Sequence, residues 1–189
     1  MKLPLVDMVQ SQVIASIKDP KLIDEAVQSE PNIAFLLTGD LMTTKTNIQK
    51  LKQAGMHVFL HLDFIHGISN DKSAISFIAR EWKPDGIITT KNHLIKVAKE
   101  EGLLTIQRIF LIDQSALEKG LEMVNSCRPD AVEVLPGILP KIIYEMTEKT
   151  DIPLIAGGLI REKEEVLDAL KAGALAASGG SPALWNLGI

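Results

Sequence analysis

Two glycine pairs stand where short apolar runs end. They are Gly157 and Gly158 in Ile155-Ala-Gly-Gly-Leu-Ile160, and Gly179 and Gly180, preceded by Ser178, in Ala174-Leu-Ala-Ala-Ser-Gly-Gly180. Glycine lets a backbone come close to a ligand, and a helix starting just beyond aims its free N–H groups at an anion. Two such loops, side by side at the end of a parallel barrel, form the usual phosphate cradle of that architecture. The competing reading is turn geometry alone. Gly55, Gly102 and Gly173, by contrast, read as helix stops.

The side chains that could do chemistry form a short list: Lys18, Asp40, His61, Asp63, Lys91, Arg108, Asp113 and Glu133. Glu133 alternates with Ala131 and Leu135, so it faces a barrel interior, where an unpaired charge is expensive. It needs a partner, such as Arg108 or a bound polyol. Three roles stay open for it: a general base, a buried structural ion pair, or an acceptor for ligand hydroxyls. Arg108 suits phosphate or carboxylate, yet it equally suits an outer pair with helix acids; of Gln107 and Arg108 only one should face the pocket. Lys91 reaches an anion at the rim or is simply solvated. His61 and Asp63 share one face of a strand, with His66 three residues on. That set is too small for a metal site without a further cluster, so no metal is expected. There is no Ser-His-Asp set, Cys-His pair, Walker-type loop or strand lysine for a Schiff base. No catalytic residue is nominated, and an enzyme would rest on Glu133, Asp63 and His61 alone.

The elements that must position these residues alternate throughout. Strands are expected at 13–17, 33–37, 57–62, 86–90, from 104, 131–135, 153–156 and 174–177. Helices are expected at 19–29, 43–54, 73–81, from Asn92 as cap to Gly102, 113–127, 140–149 and 162–172. A stub at 182–186 remains for an eighth. Eight strands in this rhythm predict an α/β fold, a compact (β/α)8 TIM-type barrel with a vestigial last helix, as one domain over 1–189. At 189 residues the barrel is small, and an open doubly wound sheet is the alternative.

With 20 Lys+Arg against 24 Asp+Glu, the net charge of −4 argues against a general polyanion binder while leaving room for a local basic patch. The single cysteine, Cys127, has no internal partner for a disulfide and suits a reduced cytoplasm. Residues 1–7 lack the pattern of a signal peptide, and no apolar run approaches the roughly 20 residues of a membrane span. The expected location is cytoplasmic.

The strings His61-Leu-Asp-Phe-Ile-His-Gly-Ile68, Ile106-Gln-Arg-Ile-Phe-Leu-Ile-Asp113, Pro129-Asp-Ala-Val-Glu-Val-Leu-Pro-Gly-Ile138 and Ile152-Pro-Leu-Ile-Ala-Gly-Gly-Leu-Ile160 resemble the glycerol uptake operon antiterminator family, in the same order along nearly the whole chain. The resemblance implies a regulator that binds glycerol 3-phosphate as effector, uses no cofactor, and acts on leader mRNA to prevent transcription termination. It implies that His61, Asp63, Arg108, Glu133, Gly157 and Gly158 surround the ligand; Lys91, Ser178, Gly179 and Gly180 join them from the residue reading. The sequence departs from the family pattern at the end of the last strand, where Ala177-Ser-Gly-Gly-Ser-Pro182 replaces a Thr/Ser-rich segment. The chain also stops soon after Trp185, without the family's basic terminal segment.

Two other functions compete with the regulator: a phosphosugar isomerase or aldolase, suggested by the barrel and its phosphate loops, and a metabolite sensor whose partner is a protein, suggested by the acidic balance. A homo-oligomer is compatible with all three.

Overall fold

The structure, a computed structural model, describes residues 3–189; Met1 and Lys2, which entered the reading of the amino terminus and the 1–189 span, lie outside them. Its centre is a closed barrel of eight parallel strands: β1 (Val13–Ile17), β2 (Ile33–Leu36), β3 (His57–His61), β4 (Gly86–Thr89), β5 (Leu104–Phe110), β6 (Ala131–Leu135), β7 (Leu154–Gly157) and β8 (Ala176–Gly179). Each strand pairs with the next, and β8 pairs back onto β1 through Val13↔Ala177. Closure removes every sheet edge, and strands covered on both faces read as continuous Val/Ile/Ala runs.

Two cores result. Inside the barrel, alternate residues such as Ile14, Phe35, Phe59, Ile106, Ala131 and Ile155 stack in layers. The intervening residues, including Ala15, Leu36, Leu60, Val132 and Ala156, meet the outer helices. Gly86 makes the interior fit: a Cβ there would lie 2.6 Å from the Phe59 ring. A short helix, α1 (Leu5–Met8), which the sequence pattern did not announce, adds Leu5 and Met8 to the interior core.

The outer helices are α2 (Ile23–Ala26), α3 (Thr44–Gln53), α4 (Lys72–Phe77), α5 (Asn92–Glu100), α6 (Gln114–Cys127), α7 (Pro140–Thr147) and α8 (Lys163–Lys171). None is long and apolar enough to cross a membrane among the described residues. Three departures from expectation have local causes. A helix expected over 19–29 is a 3-10 turn (Pro20–Leu22) followed by one α turn, because the N–H and hydroxyl of Ser29 both turn back to the Ala26 carbonyl. The helix expected to run to Glu81 becomes a π turn at Ile78–Trp82, which buries Trp82 edge-on against Phe77 at 5.5 Å. Asn92 is the first residue of α5 rather than its cap, which is Lys91.

The last strand also lies later than its expected 174–177. Ala174 still donates to Ala169, finishing the turn after α8, so pairing with β7 starts at Ala176↔Ile155. Ser178 and Gly179 are therefore strand residues, as is Gly157. The vestigial eighth helix is a 3-10 segment, Pro182–Asn186, anchored by fully buried Trp185 whose Nε1 donates to the Gly179 carbonyl at 2.7 Å.

Candidate functional site

Strand periodicity decides what meets the mouth of the barrel. Two residues beyond the interior positions Ile14, Phe35, Phe59, Ile106, Ala131, Ile155 and Ala176 stand Ser16, Leu37, His61, Arg108, Glu133, Gly157 and Ser178, which therefore form the next inward layer at the carboxyl ends.

Glu133 is the hub of this layer. It is 1% exposed, and its two oxygens are divided: Oε2 accepts from Arg108 Nε at 2.7 Å, and Oε1 accepts from the Ser178 hydroxyl at 2.7 Å. The partner that the sequence required is thus Arg108, directly opposite in the β5–β6 register. Gly157 permits the arrangement, since a Cβ there would stand 2.7 Å from both Glu133 Oε1 and Ser178 Oγ. A carboxylate so engaged is an orienting group rather than a free base. Arg108 spends only Nε on it, and its terminal amino groups hydrogen-bond to no protein atom among the described residues. Its neighbour Gln107 is also buried, with its amide donating to the Arg108 carbonyl.

Above this hub lies a cup of about 260 Å³, lined by Ser16, Lys18, Arg108, Glu133, Ser178 and the loops Gly158–Arg161 and Gly179–Gly180, with Leu37 and Leu135 as apolar wall. Lys18 and Arg161 bring charge to its rim, and among the described residues neither has a carboxylate partner. The main-chain N–H groups of Gly158, Leu159 and Gly180 likewise donate to no protein acceptor among the described residues. Gly158 and Leu159 both take left-handed backbone (φ 75° and 62°), a sharp turn that presents consecutive amides. One expectation is corrected here: the start of α8 is not open to an anion. The Glu165 carboxylate accepts from the Arg161 and Glu162 amides at 2.6 and 3.1 Å, and Glu162 closes a capping box. Any phosphate must use the glycine-loop amides and the two cations instead.

His61, Asp63 and Lys91 form a separate group at the β3–β4 side and are not among the residues lining the cup. Asp63 Oδ2 accepts from the amide and hydroxyl of Thr90, each at 3.1 Å, while Lys91 Nζ stands 3.4 Å from Oδ1. Burial pushes the Asp63 carboxyl up, but the Thr90 donors, His61 and Lys91 outweigh it and hold it below the usual carboxylate range. His61 is 1% exposed and edge-on to Phe64 at 4.6 Å. Its Nδ1 is 3.7 Å from Asp63, too far for a hydrogen bond, and neither ring nitrogen has a hydrogen-bond partner among the described residues. Burial first, then the Arg108 charge, lower its pKa to about 3, so the ring is neutral. Arg108 joins the two groups, with Cζ 6.0 Å from the centre of the Phe64 ring. His66 is elsewhere, its main chain in an isolated β-bridge with that of Asp40, and no group of three or more His, Cys, Asp or Glu is placed to hold a metal ion among the described residues.

The structure adds Ser16, Arg161 and the apolar wall to the sequence-derived set, and brings Lys18 into the cup. Lys18 was legible as the residue following the first strand. Arg161 carried a fainter signal, sitting four residues beyond Gly157 in the same loop.

Comparison with known proteins identifies the family of the chain. The sequence profile of a family described as glycerol-3-phosphate responsive antiterminator matches residues 13–185. A curated protein of Escherichia coli (strain K12), named uncharacterized protein YgcP, is 36% identical over 186 residues, 98% of this chain and 97% of that protein. The crystal structure of a glycerol uptake operon antiterminator regulatory protein from Listeria monocytogenes is similar with a TM-score of 0.91 and 34% identity, covering 98% of both chains. A glycerol uptake operon antiterminator-related protein from Thermotoga maritima gives 0.82 and 35%, covering 92% of this chain and 96% of that one. Orotidine 5'-phosphate decarboxylase from Pyrococcus horikoshii, at 18% identity and a TM-score of 0.68, shares the barrel fold alone.

Proposed function

Since this chain belongs to the glycerol-3-phosphate responsive antiterminator family, we propose that it senses glycerol 3-phosphate in the cup at the barrel mouth and, when loaded, acts on the leader mRNA of glycerol-uptake genes to prevent transcription termination. Leader transcripts place this activity in the cytoplasm. Glycerol 3-phosphate is an effector here rather than a cofactor.

The observation that carries the reading is the division of the cup into two chemistries. One set of lining groups is Lys18, Arg161 and the bare amides of Gly158, Leu159 and Gly180, matched to a phosphate. The other is Glu133, Ser16 and Ser178, matched to hydroxyls, and Arg108 suits either part of the molecule. The cup's 260 Å³ is below the roughly 300–1,000 Å³ of sites for drug-sized ligands, which favours a three-carbon phosphate over a nucleotide. With Glu133 held by Arg108 and Ser178, no free base faces the bound molecule, which supports sensing rather than turnover.

Titration calorimetry tests the effector half. Glycerol 3-phosphate is expected to bind at least tenfold more tightly than either inorganic phosphate or glycerol, because only it engages both sets of groups. Equal affinity for phosphate alone would reduce the site to an anion hole. Consumption of glycerol 3-phosphate during the titration would point to an enzyme.

A further inference from the structure

A groove of about 750 Å³ runs between α3 and the π turn at Ile78–Trp82. It shares no lining residue with the cup. One wall is a single stripe of α3, because Lys45, Gln49, Lys52 and Gln53 fall on the same helical face. The other carries Arg80, Glu81 and Lys83. Four cations thus line the groove, with the carboxylates of Glu81, Asp85 and Glu101 beside three of them, in a chain whose overall charge is −4. α3 contributes three lysines, Lys45, Lys50 and Lys52, and no acid.

From this concentration of charge we propose that the groove is the surface that holds RNA, as a single strand; the proposal rests on the regulator reading above. Three observations favour RNA. The groove's ion pairs are long and their cations stay exposed: Lys45–Glu81 at 3.4 Å, Lys52–Asp85 at 3.3 Å and Arg80–Glu101 at 3.4 Å, with Asp85 and Glu101 themselves mostly buried. Lys45–Glu81, exposed on both sides, contributes little and yields readily to a phosphate. Lys83 has no acidic partner among the described residues, and the left-handed turn that closes the π segment (φ 52°) places it at the groove. Non-glycine residues in that conformation, like π turns, gather at functional positions. Finally, the Gln49 and Gln53 side chains make no hydrogen bond among the described residues. Amides that both donate and accept suit the base edges that an unpaired strand exposes, whereas an acidic peptide asks only for charge.

The test is fluorescence anisotropy, with glycerol 3-phosphate present at saturation, on a labelled, mixed-sequence single-stranded oligoribonucleotide of about 20 nucleotides, at about 50 and 200 mM salt. The full chain is compared with the triple variant Lys45→Gln/Lys52→Gln/Lys83→Gln. The parent chain should bind with steep salt dependence. The variant should lose at least tenfold in affinity at low salt, and its log–log salt slope should fall by about two, at roughly 0.7 for each lost phosphate contact. Its melting temperature and its response to glycerol 3-phosphate should stay unchanged, which separates loss of contact from loss of fold. A variant that binds RNA like the parent overturns the groove and leaves the regulator intact. A parent chain that ignores RNA at both salts overturns the regulator reading and the groove together. If poly-glutamate competes as well as RNA of equal charge, the assignment to RNA is wrong.

Discussion

Arg108 Nε lies 2.7 Å from Glu133 Oε2, and the two residues are direct partners across the β5–β6 ladder. Both are almost withdrawn from water, at 7% and 1% exposure, yet Arg108 lines the cup and its terminal amino groups have no protein partner among the described residues. The pair therefore does two things at once: it satisfies a carboxylate inside the barrel, and it fixes a guanidinium whose outer donors are unspent.

Breaking one side of this pair should be costly. Glu133→Gln leaves Arg108 without its counter-charge, and removal of one partner of a buried pair destabilises by about 3–5 kcal/mol. For a chain of this length that corresponds to a Tm fall of roughly 6–20 °C. The double variant Arg108→Met/Glu133→Leu should recover most of the loss in thermal melts while binding no glycerol 3-phosphate. A double variant as unstable as the single one would show that the pair is not the cause.

Gly157 should tolerate no side chain. Its backbone needs no special φ, so Gly157→Ala isolates the steric effect of a methyl group 2.7 Å from Glu133 and Ser178. Overpacking of this kind costs about 1–3 kcal/mol. Displacing Glu133 should also weaken effector binding more than tenfold, as measured by calorimetry. Unchanged affinity in a folded Gly157→Ala chain would remove Glu133 from the binding account.

His61 makes acid stability a test of the mouth. Its folded pKa of about 3 lies below the ordinary value of 6.5, so the unfolded chain takes up the proton first. Its contribution to stability is complete above about pH 6.5 and declines as pH falls towards about 3, with a slope of up to about 1.4 kcal/mol per pH unit. Urea unfolding of His61→Phe at pH values of about 7, 6 and 5 should lose that one-proton slope. An identical pH dependence in both proteins would place the acid sensitivity elsewhere.

How far the sequence reached is visible in these same residues. Alternation with period two put Glu133 inside the barrel, an argument local to one strand, whereas Arg108 was only one candidate partner beside a bound polyol until the β5–β6 register paired the two. The glycine pairs marked the right end of the barrel, yet Gly157 and Gly179 turned out to be strand residues. A glycine needed to clear a neighbouring carboxylate and one needed for a turn look alike in sequence. His61, Asp63 and Lys91 carry chemistry-bearing types at a barrel mouth but cluster apart from the cup, and that division depends on strand order and side-chain direction together. The closed start of α8 was legible in principle: Glu162 and Glu165 stand three apart in the spacing of a capping box, a signal that the adjacent glycines overshadowed. The π turn was not legible, since it arises from packing Trp82 rather than from any local motif.

The most direct measurement is thermal melting with and without glycerol 3-phosphate, on the parent chain and on Lys18→Ala/Arg161→Ala. At about 100 times Kd the effector should stabilise the parent by about 2.7 kcal/mol, raising Tm by roughly 5–11 °C. The double variant, folded but lacking both rim cations, should show less than half of that shift at the same concentration. A parent melting curve that stays flat across millimolar glycerol 3-phosphate contradicts the account.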